Sequence, residues 1–438
     1  MKKILYPFFV FLLSFAAVAQ VNPRLQRIDS LMNHFYSNGK FMGSVTIREK
    51  DNVIFEKAYG FADVQSKTAA NTNTKYKIGS ITKMFTASVI FQLIEAKKIT
   101  LATKLSAFYP EIKNAEKITI SHLLGHQSGI YNYTNDDAFK TYCTTPQTKK
   151  QMLSRIASYE PVFEPGEKAE YSNSNYVLLG YIIEDITKKT YAKNIEDRIT
   201  KKLKLKDTYY YSKINPANNE AYSYSYENNG WEKFEEWDDS VAFAAGALSS
   251  TPSDLIAFIK ALFDGKIIKQ ESLEEMKKLE SGYGKGIFAF SFGERRFYGH
   301  NGGIEGFVSS LGYYQKDELG IAIIANGANY DINAIAIGIL SIYYKMPFPF
   351  PNLNFVTVSP EVLKTYEGTY ASPGVPLKIE IKYSEDKLMA QATGQGAFEL
   401  NAVSDNEFVY DAAGINMVFK ENSLTLKQGG MVLLFTKE

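Results

Sequence analysis

The sequence predicts an α+β protein: an antiparallel sheet covered by a helical lobe, followed by a small all-β, barrel-like domain. Three observations carry that expectation. Strand-like alternation occurs early, over residues 42–59, and returns from Gly284, with a mostly helical stretch between. Pro347, Pro349 and Pro351 then punctuate the chain. Beyond them short strand patterns recur to the end, separated by turn formers.

The first residues read as a secretory signal. Lys2 and Lys3 supply the charge, residues 4–15 the apolar run, and Ala17-Val18-Ala19 the small-residue cleavage site. The alternative is an uncleaved anchor, but the run falls short of the roughly 20 residues a membrane span needs. The expected location is exported, periplasmic or secreted, with no stable membrane insertion after cleavage. The expected division is a signal peptide over 1–19, a main domain over 20–345, a Pro-rich linker over 346–360 and a C-terminal β domain over 361–438.

Each element has a local reason. In the early hairpin Val45 and Ile47 alternate with polar residues, Lys50-Asp51-Asn52 turns, and Val53 and Phe55 resume the pattern. From Ser80 the chain is apolar on nearly every side (Ile81, Met84, Phe85, Val89, Ile90, Phe91, Leu93, Ile94), which predicts a buried central helix. A short helix is expected over 121–124, stopped by Ser128-Gly129. Residues 175–188 place Tyr176, Leu179, Ile182, Ile183 and Ile186 on one helical side. Thr251-Pro252-Ser253-Asp254 starts a further helix that runs to Phe263. Strands are expected over 287–292, 296–299, 307–314 and 319–325. In the C-terminal part they are expected over 377–381, 388–392, 408–410, 417–419, 424–426 and 432–435, with turns at Glu421-Asn422 and Gly429-Gly430.

Composition excludes several function classes. Hydrophobic residues are 45% and charged residues 22% of 438, a globular balance. A formal net charge of +1 gives no electrostatic case for nucleic acid or an anionic membrane. Cys143 is the only cysteine, so no intramolecular disulfide forms. The four histidines (His34, His122, His126, His300) lie outside any HExxH pattern, so no metal or other cofactor is expected.

The chemistry-bearing residues fall in three segments. Ser80 and Lys83 stand three apart at the start of the buried helix, hence one turn apart on one face. A hydroxyl needs a neighbouring base to become a nucleophile, and a desolvated lysine can be that base. The ordinary alternative is an N-cap serine beside a solvated lysine. Tyr171-Ser172-Asn173 lies between the turn at Pro165-Gly166 and a buried helix. A phenolate with its pKa lowered by lysine charge is a second candidate base, and Asn173 suits a substrate amide or Lys83 itself. The ordinary alternative is a structural tyrosine. His300-Asn301-Gly302-Gly303 ends a strand-like segment, and its glycines permit close backbone approach. The N–H groups of Ser80 and Gly303 are candidates for an oxyanion hole, against the alternative of a glycine turn with a surface histidine.

Together, Ser80-x-x-Lys83, Tyr171-x-Asn173 and His300-x-Gly302 resemble the three-motif signature of the serine β-lactamase and penicillin-binding protein superfamily. The match is nearest its class C-like branch of D,D-carboxypeptidases, D-aminopeptidases and esterases. Residues 76–83 resemble the nucleophile box. Residues 122–130 resemble the family's helix-and-turn signature, with Gly125 where threonine is common. Residues 245–255 and 299–303 also fit, and the likeness covers roughly residues 25–345.

The resemblance implies a β-lactamase/transpeptidase-like fold and a serine acyl-hydrolase. It implies that Ser80 is acylated, that Lys83 and Tyr171 share general-base and general-acid work, and that Asn173, His300 and Gly302 contact substrate. His300 stands where many β-lactamases carry lysine, which lowers the expectation of efficient β-lactam hydrolysis. The implied substrate is a small molecule or short peptide or amide, with D-amino-acid-containing wall peptides in that class. An esterase and a slowly acylated penicillin or peptide sensor are the alternatives.

Overall fold

The computed structural model describes residues 22–227, 230–410, 414–428 and 431–438. The secretory-signal reading of residues 1–19 and the turn at Gly429-Gly430 lie outside the described residues.

The alternating segments assemble into one eight-stranded sheet. Its main path runs Phe288–Phe292, Arg295–Ile304, Phe307–Tyr314, Leu319–Ala328, Phe41–Glu49 and Asn52–Tyr59. The early hairpin therefore joins the late strands through the antiparallel register Val45↔Ile323. The first strand of the hairpin is buried over seven successive residues, because both faces of the sheet are covered.

On one face the helices Pro23–Ser37 and Ile332–Tyr343 pack Leu31, Phe35, Ile335 and Ile339 against Val45, Ile321 and Ile323. On the other lie the helix Pro252–Phe263 and the helical lobe, centred on Thr82–Glu95. That central helix buries eleven residues from Thr82 to Leu93, which is why its sequence is apolar all round. Phe85 stacks on Phe258 at 3.7 Å between centroids. Truncating either ring would open a cavity at a cost of about 3–5 kcal/mol.

Several expected boundaries move. The helix expected from Asn175 begins at Asn173 and runs to Thr187, because the Asn132 side chain accepts the Asn173 N–H and so extends its first turn. The short helix is Ile120–Leu124, capped by Thr119 and ended at Gly125. The strand expected to stop at Gly299 runs on to Ile304, since His300–Gly303 pair with Leu311–Val308. The middle of the chain is less purely helical than expected. The strands Tyr224–Glu227 and Gly230–Lys233 join the main sheet, and Tyr76–Lys77, Leu248–Ser250 and Tyr209–Tyr210 form a small sheet of their own. Such short strands carry too few residues to show a period.

Residues 346–359 contain no helix or strand, yet they are docked. Leu353 is buried, and Phe348 and Phe350 pack against the core under the helix Pro23–Ser37. Beyond them the chain forms a closed eight-stranded barrel. It closes through Tyr370↔Lys437 and Ala371↔Thr436. Closure adds two strands to the six expected, Gly368–Ser372 and Phe398–Ala402. Tyr370, Ile381, Leu388, Phe408, Phe419, Leu424 and Phe435 fill its interior.

Candidate active site

Ser80 sits in the tight turn Gly79–Ile81 that leads into the central helix. Gly79 there has φ +52°, a conformation that glycine adopts without strain. Ser80 is half-buried, so its hydroxyl reaches the surface of the fold. Lys83 follows one turn later with a fully buried side chain. Its Nζ lies 2.9 Å from Ser80 Oγ, 2.8 Å from Asn173 Oδ1 and 2.8 Å from the Ala245 carbonyl. The Tyr171 hydroxyl donates to Ser80 Oγ at 2.7 Å from the other side.

The electrostatics follow from burial. Desolvation pushes the Lys83 pKa well below its ordinary value. Desolvation pushes the Tyr171 phenol up, against the smaller opposing effect of its bond to Ser80. The low-pKa phenolate considered from sequence is therefore not what this site favours: Tyr171 rests as a neutral phenol. A neutral Lys83 amine has two N–H groups and one lone pair. Its contacts with Asn173 Oδ1 and Ala245 O are to acceptors, so both N–H groups are committed. The lone pair is left facing the Ser80 hydroxyl.

Distant segments hold this arrangement. Asn173 Nδ2 donates to Thr134 Oγ1 at 3.1 Å, which fixes the amide with its oxygen towards Lys83. Ala245 belongs to the helix Asp239–Gly246, which breaks at Phe243 with φ +37°. That is a strained conformation for an aromatic residue. It lies where the chain turns the Ala244 and Ala245 carbonyls onto the central helix, at Thr86 Oγ1 (2.7 Å) and Lys83 Nζ. His126 is buried and pins the Tyr171 loop. Its Nδ1 accepts the Ser172 N–H at 3.1 Å, and its ring stacks on Tyr171 at 4.5 Å.

Gly302 and Gly303 complete the cluster from the sheet. A Cβ on Gly302 would lie 2.0 Å from the Ile78 carbonyl, so only glycine fits there. A Cβ on Gly79 would lie 2.8 Å from Gly303 N. The Ser80 turn and the Gly303 backbone are thus in direct apposition. The register with Phe288–Phe292 ends at Phe288↔Gly299, so the strand runs on past its neighbour from His300.

The Beta-lactamase family profile matches residues 29–337. The chain belongs to that family. Its fold is that of the serine-hydrolase superfamily of β-lactamases and penicillin-binding proteins, as the three motifs imply. Protein flp of Staphylococcus aureus (strain MW2) is 29% identical over 324 residues, covering 70% of this chain and 64% of that protein. The match thus spans less than two thirds of that relative's length. Teichoic acid D-alanine hydrolase of Staphylococcus aureus (strain NCTC 8325 / PS 47) is 29% identical over 314 residues, 70% of this chain and 75% of that protein. The D-amino acid amidase of Ochrobactrum anthropi SV3, complexed with L-phenylalanine amide, superposes with a TM-score of 0.65 at 25% identity, over 74% of this chain and 99% of that one.

Within this β-lactamase-family site His300 is the departure. It is buried beside Phe288, with ring centroids 4.3 Å apart. Burial pushes its pKa down to about 3. The imidazole is therefore neutral at any ordinary pH. Lys285 is paired with Glu275 at 2.8 Å. Arg295 and Arg296 start the strand, about 17 and about 13 Å from His300 at the usual rise of 3.3 Å per residue.

Sequence reasoning missed the roles of Thr134, Phe243 and Ala245; only Ala245 lies in a segment that carries the resemblance, and nothing there points to its carbonyl. Among the described residues no group of three or more His, Cys, Asp or Glu is placed to hold a metal ion. Among them, too, no helix is long and apolar enough to cross a membrane.

Proposed function

We propose that this protein is an exported serine hydrolase that acts through an acyl-enzyme on a peptide or amide, with D-amino-acid-containing wall peptides as the substrate class. One observation carries the reading. Ser80 Oγ lies between Lys83 Nζ at 2.9 Å and the Tyr171 hydroxyl at 2.7 Å, with both N–H groups of the amine already engaged. In this reading Lys83 takes the Ser80 proton as Oγ attacks the carbonyl carbon. Tyr171, a neutral phenol, hands its proton to the departing nitrogen or oxygen, and the resulting phenolate is reprotonated by the Lys83 ammonium, which carries the proton taken from Ser80. The N–H groups of Ser80 and Gly303 receive the carbonyl oxygen as it gains charge. Asn173 keeps one N–H for substrate beyond the one given to Thr134, and His300 and Gly302 line the strand beside it. Water then releases the acyl group.

A neutral His300 supports substrates that lack a carboxylate at that position, such as amides and esters. Esters are the second reading, favoured by the same neutral imidazole. The teichoic acid D-alanine hydrolase and the D-amino acid amidase among the relatives support a D-amino acyl group. The division into a signal over 1–19, a hydrolase domain over 20–345, a linker over 346–360 and a β domain over 361–438 is part of the proposal.

The test is intact-protein mass spectrometry after exposure to a fluorophosphonate and, separately, to a penicillin, with the labelled peptide mapped. The reading expects fluorophosphonate on Ser80 and turnover of a D-amino acid amide. Label on another residue, or a Ser80→Ala variant that still turns substrate over, would reject it. A penicillin adduct that persists without turnover would favour a sensor.

A further inference from the structure

We infer that the buried Lys77–Glu305 ion pair is a positioning clamp for the two backbone donors, the N–H groups of Ser80 and Gly303. The inference rests on the acyl-enzyme reading above.

Lys77 Nζ lies 2.6 Å from Glu305 Oε1, and the two side chains are 1% and 0% exposed. The same carboxylate oxygen accepts the Trp237 N–H at 2.7 Å. The other oxygen accepts from Ser223 Oγ at 3.4 Å. The Lys77 ammonium sits 4.3 Å from the centre of the Tyr211 ring and 3.6 Å from Glu236 Oε2. None of these bonds reaches Ser80, Lys83 or Tyr171, so the pair stands apart from the proton-transfer cluster.

Stability alone is a weak reason to bury two charges, since apolar pairs of similar volume often serve as well. A buried pair does specify register, because a slip strands both charges. Here the register in question is catalytic. Lys77 precedes Ser80 by three residues, and Glu305 follows Gly303 by two. Between them the two backbones run against each other. Ser309 Oγ donates to the Ile78 carbonyl at 2.9 Å, Gly302 touches Ile78, and Gly79 touches Gly303. Glycines leave no side chain to fix the spacing of this strip. Its far end is fixed by Lys77 and Glu305. Glu305 also has φ +52°, a conformation unfavourable for glutamate and held by the bonds of its carboxylate.

Donors that act on the transition state change kcat more than KM, and a misplacement near 1 Å is worth about 100-fold. The experiment compares Glu305→Gln, Lys77→Arg and the apolar pair Lys77→Met/Glu305→Leu, which removes both charges and strands neither. Hydrolysis of p-nitrophenyl acetate is measured per site labelled by fluorophosphonate, beside the melting temperature. The clamp predicts kcat lower by about 10- to 100-fold in the apolar pair, with KM within about 3-fold. It predicts that Lys77→Arg, which keeps the charge, retains most of the rate. An apolar pair that melts like the parent and keeps kcat within about 2-fold overturns the clamp. So does a variant whose whole deficit is in KM. Ser80→Ala separates the two levels: activity surviving there removes the acyl-enzyme reading, whereas a dead Ser80→Ala beside a fully active apolar pair removes only the clamp.

Discussion

Lys83 Nζ and Ser80 Oγ stand 2.9 Å apart, and the remaining contacts of the amine are the acceptor oxygens of Asn173 and Ala245. In the proposed mechanism that is a base aimed at a nucleophile. Burial favours the neutral amine, whose lone pair two fixed carbonyl groups then orient. Ser80→Ala and Lys83→Ala should each lower kcat by about 10⁴-fold or more. Both variants should keep the parent circular dichroism spectrum.

Tyr171 places one hydroxyl on Ser80 Oγ and stacks its ring on His126. Tyr171→Phe removes the first and keeps the second. Its kcat should fall by about 10²- to 10⁴-fold, the usual worth of general acid–base help. Its stability should change by no more than about 1 kcal/mol, the net worth of one hydrogen bond. Urea unfolding read against steady-state rates tests both halves.

The lowered pKa of Lys83 sets the direction of the pH profile. The neutral amine is the active form, so kcat/KM should rise with pH as Lys83 loses its proton. The midpoint should lie well below the value of about 10.4 for free lysine. Asn173→Asp puts a carboxylate beside the amine and favours the ammonium, so the rising limb should move to higher pH. Because His300 titrates at about 3, His300→Gln should leave the position of that limb unchanged. A limb near pH 6.5 that vanishes in His300→Gln would contradict the neutral assignment.

Carboxylate-bearing substrates should be poor because the strand offers them a neutral ring. His300→Lys supplies a cation there. It should speed acylation by penicillin by about 10-fold or more, the scale of one charge-assisted hydrogen bond. Cleavage of an uncharged amide should change far less. Time-resolved mass spectrometry of the acyl adduct distinguishes the two outcomes.

Gly302 is the most sterically constrained of the site glycines, since its Cβ would meet the Ile78 carbonyl at 2.0 Å. Gly302→Ala must push the strand off the Ser80 turn. Activity should fall by about 100-fold even in chains that fold, because the gap between the Ser80 and Gly303 backbones changes. A refolded Gly302→Ala enzyme with the parent kcat would show that this apposition is not needed.

The sheet and the central helix were legible because their periods are long. Residues 42–59 alternate over a full hairpin, and the segment after Ser80 is apolar around every side. The barrel-like domain was legible from its repeated short strands, but not the pairing that closes it, which joins Tyr370 to Lys437 across 67 residues. The strand through His300 was read as stopping at Gly299, because glycines hide a strand that its neighbour Leu311–Val308 in fact enforces.

By itself the sequence marked the candidate groups: a serine and lysine one turn apart, a tyrosine at a loop tip and two glycines at the end of a strand-like segment. Local spacing and the helical repeat suffice for that, because they are short-range geometry. The tertiary structure alone decided their protonation and their aim. Burial is a property of what packs around a residue, so only the fold could leave Lys83 neutral and Tyr171 a phenol. Aim came from Ala245 and Thr134, residues brought from elsewhere in the chain. Their spacing in the sequence does not show these contacts, because a carbonyl or a hydroxyl acquires its role only from what it meets.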